Sequence, residues 1–492
     1  MIQARKLSEP AEEPRPDPAT LAAHLKDASH FQGSAEEICF PVTEEQVSFL
    51  LRRAGRDQRP VTLSGAGTGL TGGRVPKKGL VLSTERMNRI LRVNGNTAIV
   101  QPGVSLKQLE ETLDPRGLFY PPDPGEKEAS IGGTIATNAS GPRSLKYGPT
   151  RRHIRRLRVV LPEGDLLELI RGRDKVGGKT VTLSLTGGRV IQADLPGYRI
   201  PHIKNSAGYF CEPNMDLIDL FIGAEGTLGV VTEAELALVK KPEAVFSGIL
   251  FFDTAQECFT FAREARRMQA RAIEFVDSRS LALLAPKYDD IPPAAAAALY
   301  FQRECRANET DRLREEWSRR SEEFGARASD CWFAHQEQDL EFFRRFRYDL
   351  PVLVNEQAVR NKFRKLATDL AVPDRHAQQM FNFYLSELPK SGLDFAMWGH
   401  LGDNHLHVNF LPKTQEEFDQ ALALYGILAK KAVELRGTVS GEHGIGKVRI
   451  PYLEMMVGAE GMRQMARLKK AFDPAGILNR GNIFPENLLD DV

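Results

Sequence analysis

Four of the ten histidines stand near the C-terminal end of the chain, at His400, His405, His407 and His443. His405, His407 and Asn409 alternate with Leu406, Val408 and Phe410, a period of two that sets the polar three on one face of a strand. A His-x-His step on a strand can aim two imidazoles at one metal ion. His400, in Gly399-His-Leu-Gly-Asp403, adds another ring. Glu442-His443, among Gly441, Gly444 and Gly446, adds a carboxylate and a fourth ring. Spacing alone does not select ligands from this set. A half-exposed strand whose histidines meet water or carbonyls fits it equally well.

Three stretches are rich in glycine and hydroxyl residues: Ser64-Gly-Ala-Gly-Thr-Gly-Leu-Thr-Gly-Gly73, Ser130 to Gly141, and Gly223-Ala-Glu-Gly-Thr-Leu-Gly-Val-Val231. The first contains Gly67-Thr-Gly-Leu-Thr-Gly72, a literal G-x-G-x-x-G with Glu85 near the usual acidic position. The dinucleotide fingerprint needs a helix after its glycines, whereas Gly73, Pro76 and Gly79 follow here. Such a loop can still turn several N–H groups towards an anion at close range, and a plain flexible turn is the competing reading. The second stretch carries too much Gly and Thr for a helix and is expected as backbone packed against a flat ligand. Arg151, Arg152, Arg155, Arg156 and Arg158 form a basic run, read first as a solvated strand edge and second as a contact for an acidic acceptor or a membrane surface.

The elements that must hold these groups follow from periodicity. Thr43-Glu-Glu-Gln46 is a capping box for a helix through Ala54. Strands are expected at 60–63, 80–83 and 98–101, and a helix at Ser105–Leu113. A hairpin is expected at 156–161 with 166–170, turning at Glu163-Gly164, and an insertion-like segment at 171–203 carries further hairpin signals. From 243 up to Gly399 only three glycines occur, at 248, 325 and 392, and helical stretches dominate. Thr254–Gln269 reads as a helix, Ala272–Val276 as a strand, and the charged runs 307–324 and 337–347 as solvated helices. The organisation expected is a flexible tail at 1–20, a cofactor domain at 21–242, an inserted substrate domain at 243–430 and a returning segment at 431–492.

With 492 residues the chain suits two to four domains of ~150 residues. Hydrophobic residues at 42% and charged residues at 27% exclude bulk disorder. The net charge of +1 gives no global field for nucleic acid, and no nucleic-acid partner is expected. Five cysteines without a C-x-x-C supply neither an iron–sulfur cluster nor a zinc ribbon, and they fit a reducing compartment. The polar start has no signal-like apolar region, and the longest apolar stretch falls short of a span. A cytoplasmic protein, at most peripheral to a membrane, is the expectation.

The three loops in this order resemble the flavin-binding domain of the vanillyl-alcohol oxidase superfamily. The chain is most similar to its branch of FAD-linked D-2-hydroxyacid dehydrogenases (D-lactate dehydrogenase, glycolate oxidase D-subunit, D-2-hydroxyglutarate dehydrogenase). Pro121-Pro-Asp-Pro124, Lys146-Tyr-Gly148 and Phe472-Asp-Pro-Ala-Gly-Ile-Leu-Asn479 carry the likeness further, over roughly 35 to 485. The resemblance implies an α+β fold: a two-part FAD-binding domain with an inserted α+β substrate domain. It implies FAD contacts from Ser64, Gly65, Ala66, Gly67, Thr68, Gly69, Leu70 and Thr71. Further contacts are implied from Pro122, Gly132, Gly133, Thr137, Asn138, Ser140 and Tyr147, and from Glu225, Gly226, Gly229, Val230 and Asn479.

The Gly399–His407 motif then implies His400, His407 and Glu442 as ligands of a divalent metal, with His443 as catalytic base and His405 outside the ligand set. Zinc is expected, with manganese or iron as alternatives. Arg347 and Asn409 are the substrate-contact candidates, and Lys365 is a weaker one. The chain departs from the branch at Ser64, where many relatives carry Arg, and at Arg480 and Asn482, which replace a usual Pro and Lys. No His or Cys stands in a linkage position, so the FAD is expected to be noncovalent. The implied reaction oxidises a D-2-hydroxyacid and passes electrons to a quinone, an electron-transfer flavoprotein or a cytochrome rather than to NAD. A peripheral membrane contact and a homodimer are compatible with this reading. The alternatives are another flavoenzyme on the same scaffold (a sugar-acid or alcohol oxidase, or a non-redox ether-lipid synthase) and a catalytically silent flavin-binding partner.

Overall fold

The computed structural model describes residues 2–13, 16–334 and 337–492, with the Glu337 side chain left aside. In the N-terminal half, strands Glu37–Cys39, Leu80–Ser83 and Val61–Ser64 make a small parallel sheet. Helix Glu44–Arg56 packs Val47, Leu50 and Leu51 against it, a stripe at helical spacing. The Thr43 hydroxyl caps that helix by accepting from Gln46 N, while the Gln46 side chain takes Val42 N. Beside it lies an eight-stranded sheet in which Ile154–Val160 pairs antiparallel with Asp165–Ile170 and with Val230–Ala237. Gly164 turns the first of these pairs at φ 88°, where a side chain would be strained. The 171–203 segment contributes the hairpin Thr180–Ser184 with Val190–Asp194.

Residues expected as a flexible tail instead supply a strand, Ile2–Lys6. It runs parallel to Leu183–Ser184 and antiparallel to 165–167, and so joins the two hairpins into one sheet. Ala4 and Leu7 are buried there, which orders a stretch whose polar composition gave no such sign. A second correction concerns Ile131–Thr137, which is a short helix capped by the Ser130 hydroxyl and ended by Asn138 at φ 50°. Ile131 and Ile135 are fully buried, so packing overrides the poor propensity of Gly132, Gly133 and Thr134.

The C-terminal half is built on a second, antiparallel sheet, ordered 332–333, 244–252, 297–305, 272–277, 395–400, 405–410 and 366–367. Its outer face is covered by helix Ala255–Arg267 and by Trp317, whose ring stacks on Phe301 at 3.7 Å. Helix Glu337–Arg360 continues through Pro351 and covers the other face. The limit placed at 430 falls inside helix Gln415–Glu434. Strands Phe395–His400 and His405–Phe410 form a tight hairpin pairing His400 with His405 and Trp398 with His407. Helix Ile450–Phe472 then leads to Leu478, which returns to bridge Val61 of the first sheet. No helix among the described residues is long and apolar enough to cross a membrane.

Candidate active site

The hairpin and the loop 438–446 bring the titratable cluster together. His400 Nε2 and His407 Nε2 each lie 3.2 Å from Glu442 Oε1, and His443 Nε2 lies 3.5 Å from the same oxygen. The outward nitrogens of the first two rings are held by the protein, His400 Nδ1 by Glu274 Oε1 at 2.6 Å and His407 Nδ1 by the Thr368 carbonyl at 3.1 Å. Anchoring one nitrogen and freeing the other is how ligand imidazoles are oriented. This buried His/His/carboxylate donor set therefore suits a divalent cation.

His405, the fourth ring, belongs to the same donor group, and its Nδ1 has no hydrogen-bond partner among the described residues. Its Nε2 bonds Asp369 Oδ1 at 2.8 Å in a fully buried pair, and burial lowers its pKa to about 3. Asp369 organises the loop beneath the site. Its Oδ2 accepts from Arg449 at 2.5 Å, the Ser440 hydroxyl at 2.7 Å and the His443 amide at 3.0 Å. Burial alone would raise the Asp369 pKa, and His443 with Arg449 outweighs that and holds it well below the usual range. Burial lowers His443 itself to about 4, which leaves its imidazole neutral at pH 7. Its Nδ1 is 3.4 Å from Asp369 Oδ2. On Glu442, burial works upward, and Lys204 followed by His400 overrides it. Lys204 Nζ is 2.8 Å from Glu442 Oε2.

Arg347 reaches the same neighbourhood, with its Nε on Glu274 Oε2 at 2.8 Å. Against burial, His400 and Arg347 hold Glu274 down to about 2. Asn409 is 2% exposed, and its Nδ2 has no partner among the described residues. Sequence reasoning missed Glu274, Lys204 and Arg449, and it gave Asp369 no role. Each is an ordinary charged residue far along the chain, and only pairing at the site marks it out.

The glycine stretches lie beside this cluster, with Ser140 reaching Glu442 and Gly444 against Glu225 and Thr137, and the space around each glycine separates two uses. A Cβ on Gly132 would strike Pro102, one on Gly226 would strike Leu63, and one on Gly229 would strike Val159. Those three serve internal packing. Gly67 is at φ 82° over the Arg74 guanidinium, which bonds the Gly65 carbonyl at 2.9 Å and reaches the Ser64 hydroxyl at 3.3 Å. Ala66, Gly69 and Leu70 are exposed, and a Cβ on Gly69 would meet only Asp27 Oδ2, at 3.7 Å. Gly65, Thr68, Gly133 and Thr137 are half-exposed, which leaves an open, donor-rich surface of the kind a pyrophosphate requires.

Other predicted contacts are spent on the protein. The Glu225 carboxylate accepts from Ile445 N at 2.6 Å and Gly446 N at 2.9 Å. Asn479 ties Leu63 N at 2.7 Å to the Glu225 carbonyl at 2.6 Å. The Tyr147 hydroxyl donates to Glu304 across the domains, Val230 pairs with Val160, and Pro122 is buried. Thr71 is buried with its carbonyl on Lys447 N at 2.9 Å. Asn138 bridges Arg151 N and the Asn205 carbonyl, and the Ser140 hydroxyl lies 3.4 Å from Glu442 Oε2. Within the basic run, Arg151, Arg156 and Arg158 are neutralised by Asp219, Glu233 and Glu44. That pairing favours the structural reading of the run.

Glycine-rich stretches of one α+β unit meeting a histidine-bearing sheet of another make a flavin-oxidase type of architecture. Residues 35–170 match the FAD binding domain family, and residues 241–483 match the C-terminal domain of FAD linked oxidases. The glycolate oxidase subunit GlcD of Bacillus subtilis is 31% identical over 93% of this chain and 90% of its own. A D-lactate dehydrogenase of Anaerostipes hadrus is 30% identical over 94% and 92%. A D-2-hydroxyglutarate dehydrogenase of Stutzerimonas stutzeri is 29% identical over 95% of each. In fold, the chain is similar to a solved alkyldihydroxyacetonephosphate synthase, with a TM-score of 0.65 and 19% identity over 95% of this chain and 82% of that one. The chain belongs to the FAD-linked oxidase family, in the D-lactate, glycolate and D-2-hydroxyglutarate dehydrogenase branch, and is an FAD-dependent oxidoreductase.

Proposed function

We propose that the protein oxidises a D-2-hydroxyacid, such as D-lactate or D-2-hydroxyglutarate, to the 2-oxoacid, with a divalent cation on His400, His407 and Glu442. The observation that carries this reading is the convergence of three imidazole Nε2 atoms on one oxygen of Glu442, beside the glycine-rich stretches. Bound FAD would take the hydride from Cα, and a bound cation would anchor the hydroxyl and carboxylate and lower the hydroxyl pKa.

The chain's own residues supply the rest. His443 takes the hydroxyl proton. Its Nδ1 accepts from Arg449 Nη2 at 3.4 Å and lies 3.4 Å from Asp369 Oδ2, which fixes the ring, and its neutral state at pH 7 suits a base. Arg347 commits Nε to Glu274 and presents its terminal nitrogens to the acid's carboxylate, while the unpartnered Asn409 amide offers a donor. The electrons leave for a quinone, an electron-transfer flavoprotein or a cytochrome.

Metal analysis with three variants tests the assignment. Glu442→Ala and His400→Ala should lose the cation, raise KM and collapse kcat while FAD stays bound. His443→Asn should keep both cofactors and lose on the order of 10²–10⁴ in turnover. An active wild-type enzyme without a stoichiometric divalent ion refutes the ligand set.

A further inference from the structure

Glu442 has two unlike sides. Oε1 faces the three imidazoles, whereas Oε2 faces Lys204 Nζ at 2.8 Å and the Ser140 hydroxyl at 3.4 Å. The Lys204 side chain is 3% exposed, and among the described residues its other near carboxylate oxygen is Asp403 Oδ2 at 4.0 Å. Its contact with Glu442 is close but out of line for a hydrogen bond, so the ammonium acts there by charge. Burying a lysine among polar groups is costly unless a counter-charge is at hand, and Glu442 is that counter-charge.

The backbone around Lys204 is fixed from three directions. Ser206 N donates to the Ser440 carbonyl at 2.9 Å and Gly444 N to the Ser206 hydroxyl at 3.1 Å. The Asn138 amide holds the Asn205 carbonyl at 3.2 Å, and the Thr438 hydroxyl holds Asn205 Oδ1 at 2.5 Å. Lys204 is thus built into the loop that carries Glu442 and His443.

We propose that Lys204 is a positioning residue of the cation site: it keeps Glu442 a one-oxygen ligand and, as a positive charge one carboxylate away, weakens cation binding while preserving the bound ion's power to polarise substrate. This rests on the cation reading given above. A carboxylate held at Oε2 by an ammonium has only Oε1 to give, and it donates less charge through that oxygen. The ion is held less tightly and withdraws more electron density from the substrate hydroxyl. A lysine that merely filled space would have the opposite signature, since its loss would loosen the site and the ion with it.

The test uses the FAD-loaded protein, stripped of metal by chelation and titrated with zinc against a chromophoric competitor. Lys204→Met and Lys204→Gln should both bind zinc more tightly, on the order of tenfold, because a like charge has been removed from a low-dielectric site. Both should also show a lower kcat with whichever of D-lactate or D-2-hydroxyglutarate bleaches the wild-type flavin. Lys204→Arg should return the affinity towards the wild-type value. If Lys204→Met fails to fold, Lys204→Gln, which keeps a polar tip without the charge, decides the question. Unchanged or weaker zinc binding in the folded variants overturns the proposal. Absence of zinc, manganese and iron binding to wild-type protein overturns it together with the cation reading, and that outcome is seen before any variant is made.

Discussion

Glu225 offers a measurement that needs no substrate. It sits 6% exposed at the start of the third glycine stretch, at φ 50°, with its carboxylate among the Ile445 and Gly446 amides. Burial raises its pKa from 4.5 to about 7, and the amide bonds only partly offset the rise. The native state therefore holds a proton on Glu225 that the unfolded chain releases near pH 4.5. Its contribution to stability is fully present below about pH 4.5 and is lost as pH rises through about 7. A gap of 2.5 units at ~1.36 kcal/mol per unit amounts to about 3 kcal/mol. Glu225→Gln mimics the protonated acid and has nothing to titrate. With an unfolding entropy of about 1 kcal/mol/K for a chain of this length, the difference corresponds to about 3 °C. Melting curves of wild type and variant at pH 5, 6, 7 and 8, at constant ionic strength, should show the variant gaining about 3 °C relative to wild type. Most of that gain should fall between pH 5 and 7. Every other titrating group is common to both proteins and cancels. A Tm difference that does not change with pH refutes the reasoning.

Other residues make sharper cofactor tests. Gly69→Val should leave the melting temperature of FAD-free protein nearly unchanged, since Gly69 is exposed and a Cβ there meets only Asp27, yet abolish FAD retention read by absorbance. Gly67→Val should destabilise the FAD-free protein as well, because φ is 82° and the Arg74 guanidinium lies beneath it. Asp369→Asn leaves the buried Arg449 without its carboxylate and should cost about 3–5 kcal/mol in denaturant melts. On a His400, His407 and Glu442 ligand set, His405→Asn should keep one divalent ion per chain by metal analysis, whereas His407→Asn should lose it; loss of the ion in both variants makes His405 a ligand as well.

Local signals read well where local physics decides. The Ser105 cap on helix Leu106–Leu113 and the Gly164 turn lie where hydroxyl chemistry and positive φ put them. The hairpin of alternating histidines also follows from its period, and its rings converge as that period allows. What escaped is what depends on distant partners. Helix Ile131–Thr137 exists because Ile131 and Ile135 are buried, and strand Ile2–Lys6 exists because two hairpins leave edges for it. Lys204, Glu274 and Arg449 carry no motif of their own. Each is a buried charge whose meaning is its partner, and a partner 126 residues away, as for Glu274 and His400, leaves no trace in spacing.

The loop 438–448 explains why one short segment can serve both halves of the chemistry. Its amides at Lys447 and Val448 hold the Thr71 carbonyl of the first glycine stretch, at 2.9 and 3.3 Å. The Lys447 ammonium holds the Gly72 carbonyl at 3.2 Å and Asn482 at 2.6 Å. Ile445 and Gly446 hold Glu225 of the third stretch, and Gly444 holds Ser206, next to the Asn205 that Asn138 of the second stretch grips. Glu442 and His443 therefore sit on a loop hydrogen-bonded, directly or through one residue, to all three glycine stretches. A shift of one bond length anywhere along this seam would move His443 against the glycine stretches. A base displaced by an ångström loses much of its rate advantage, so the seam's density of hydrogen bonds is what the role proposed for His443 requires.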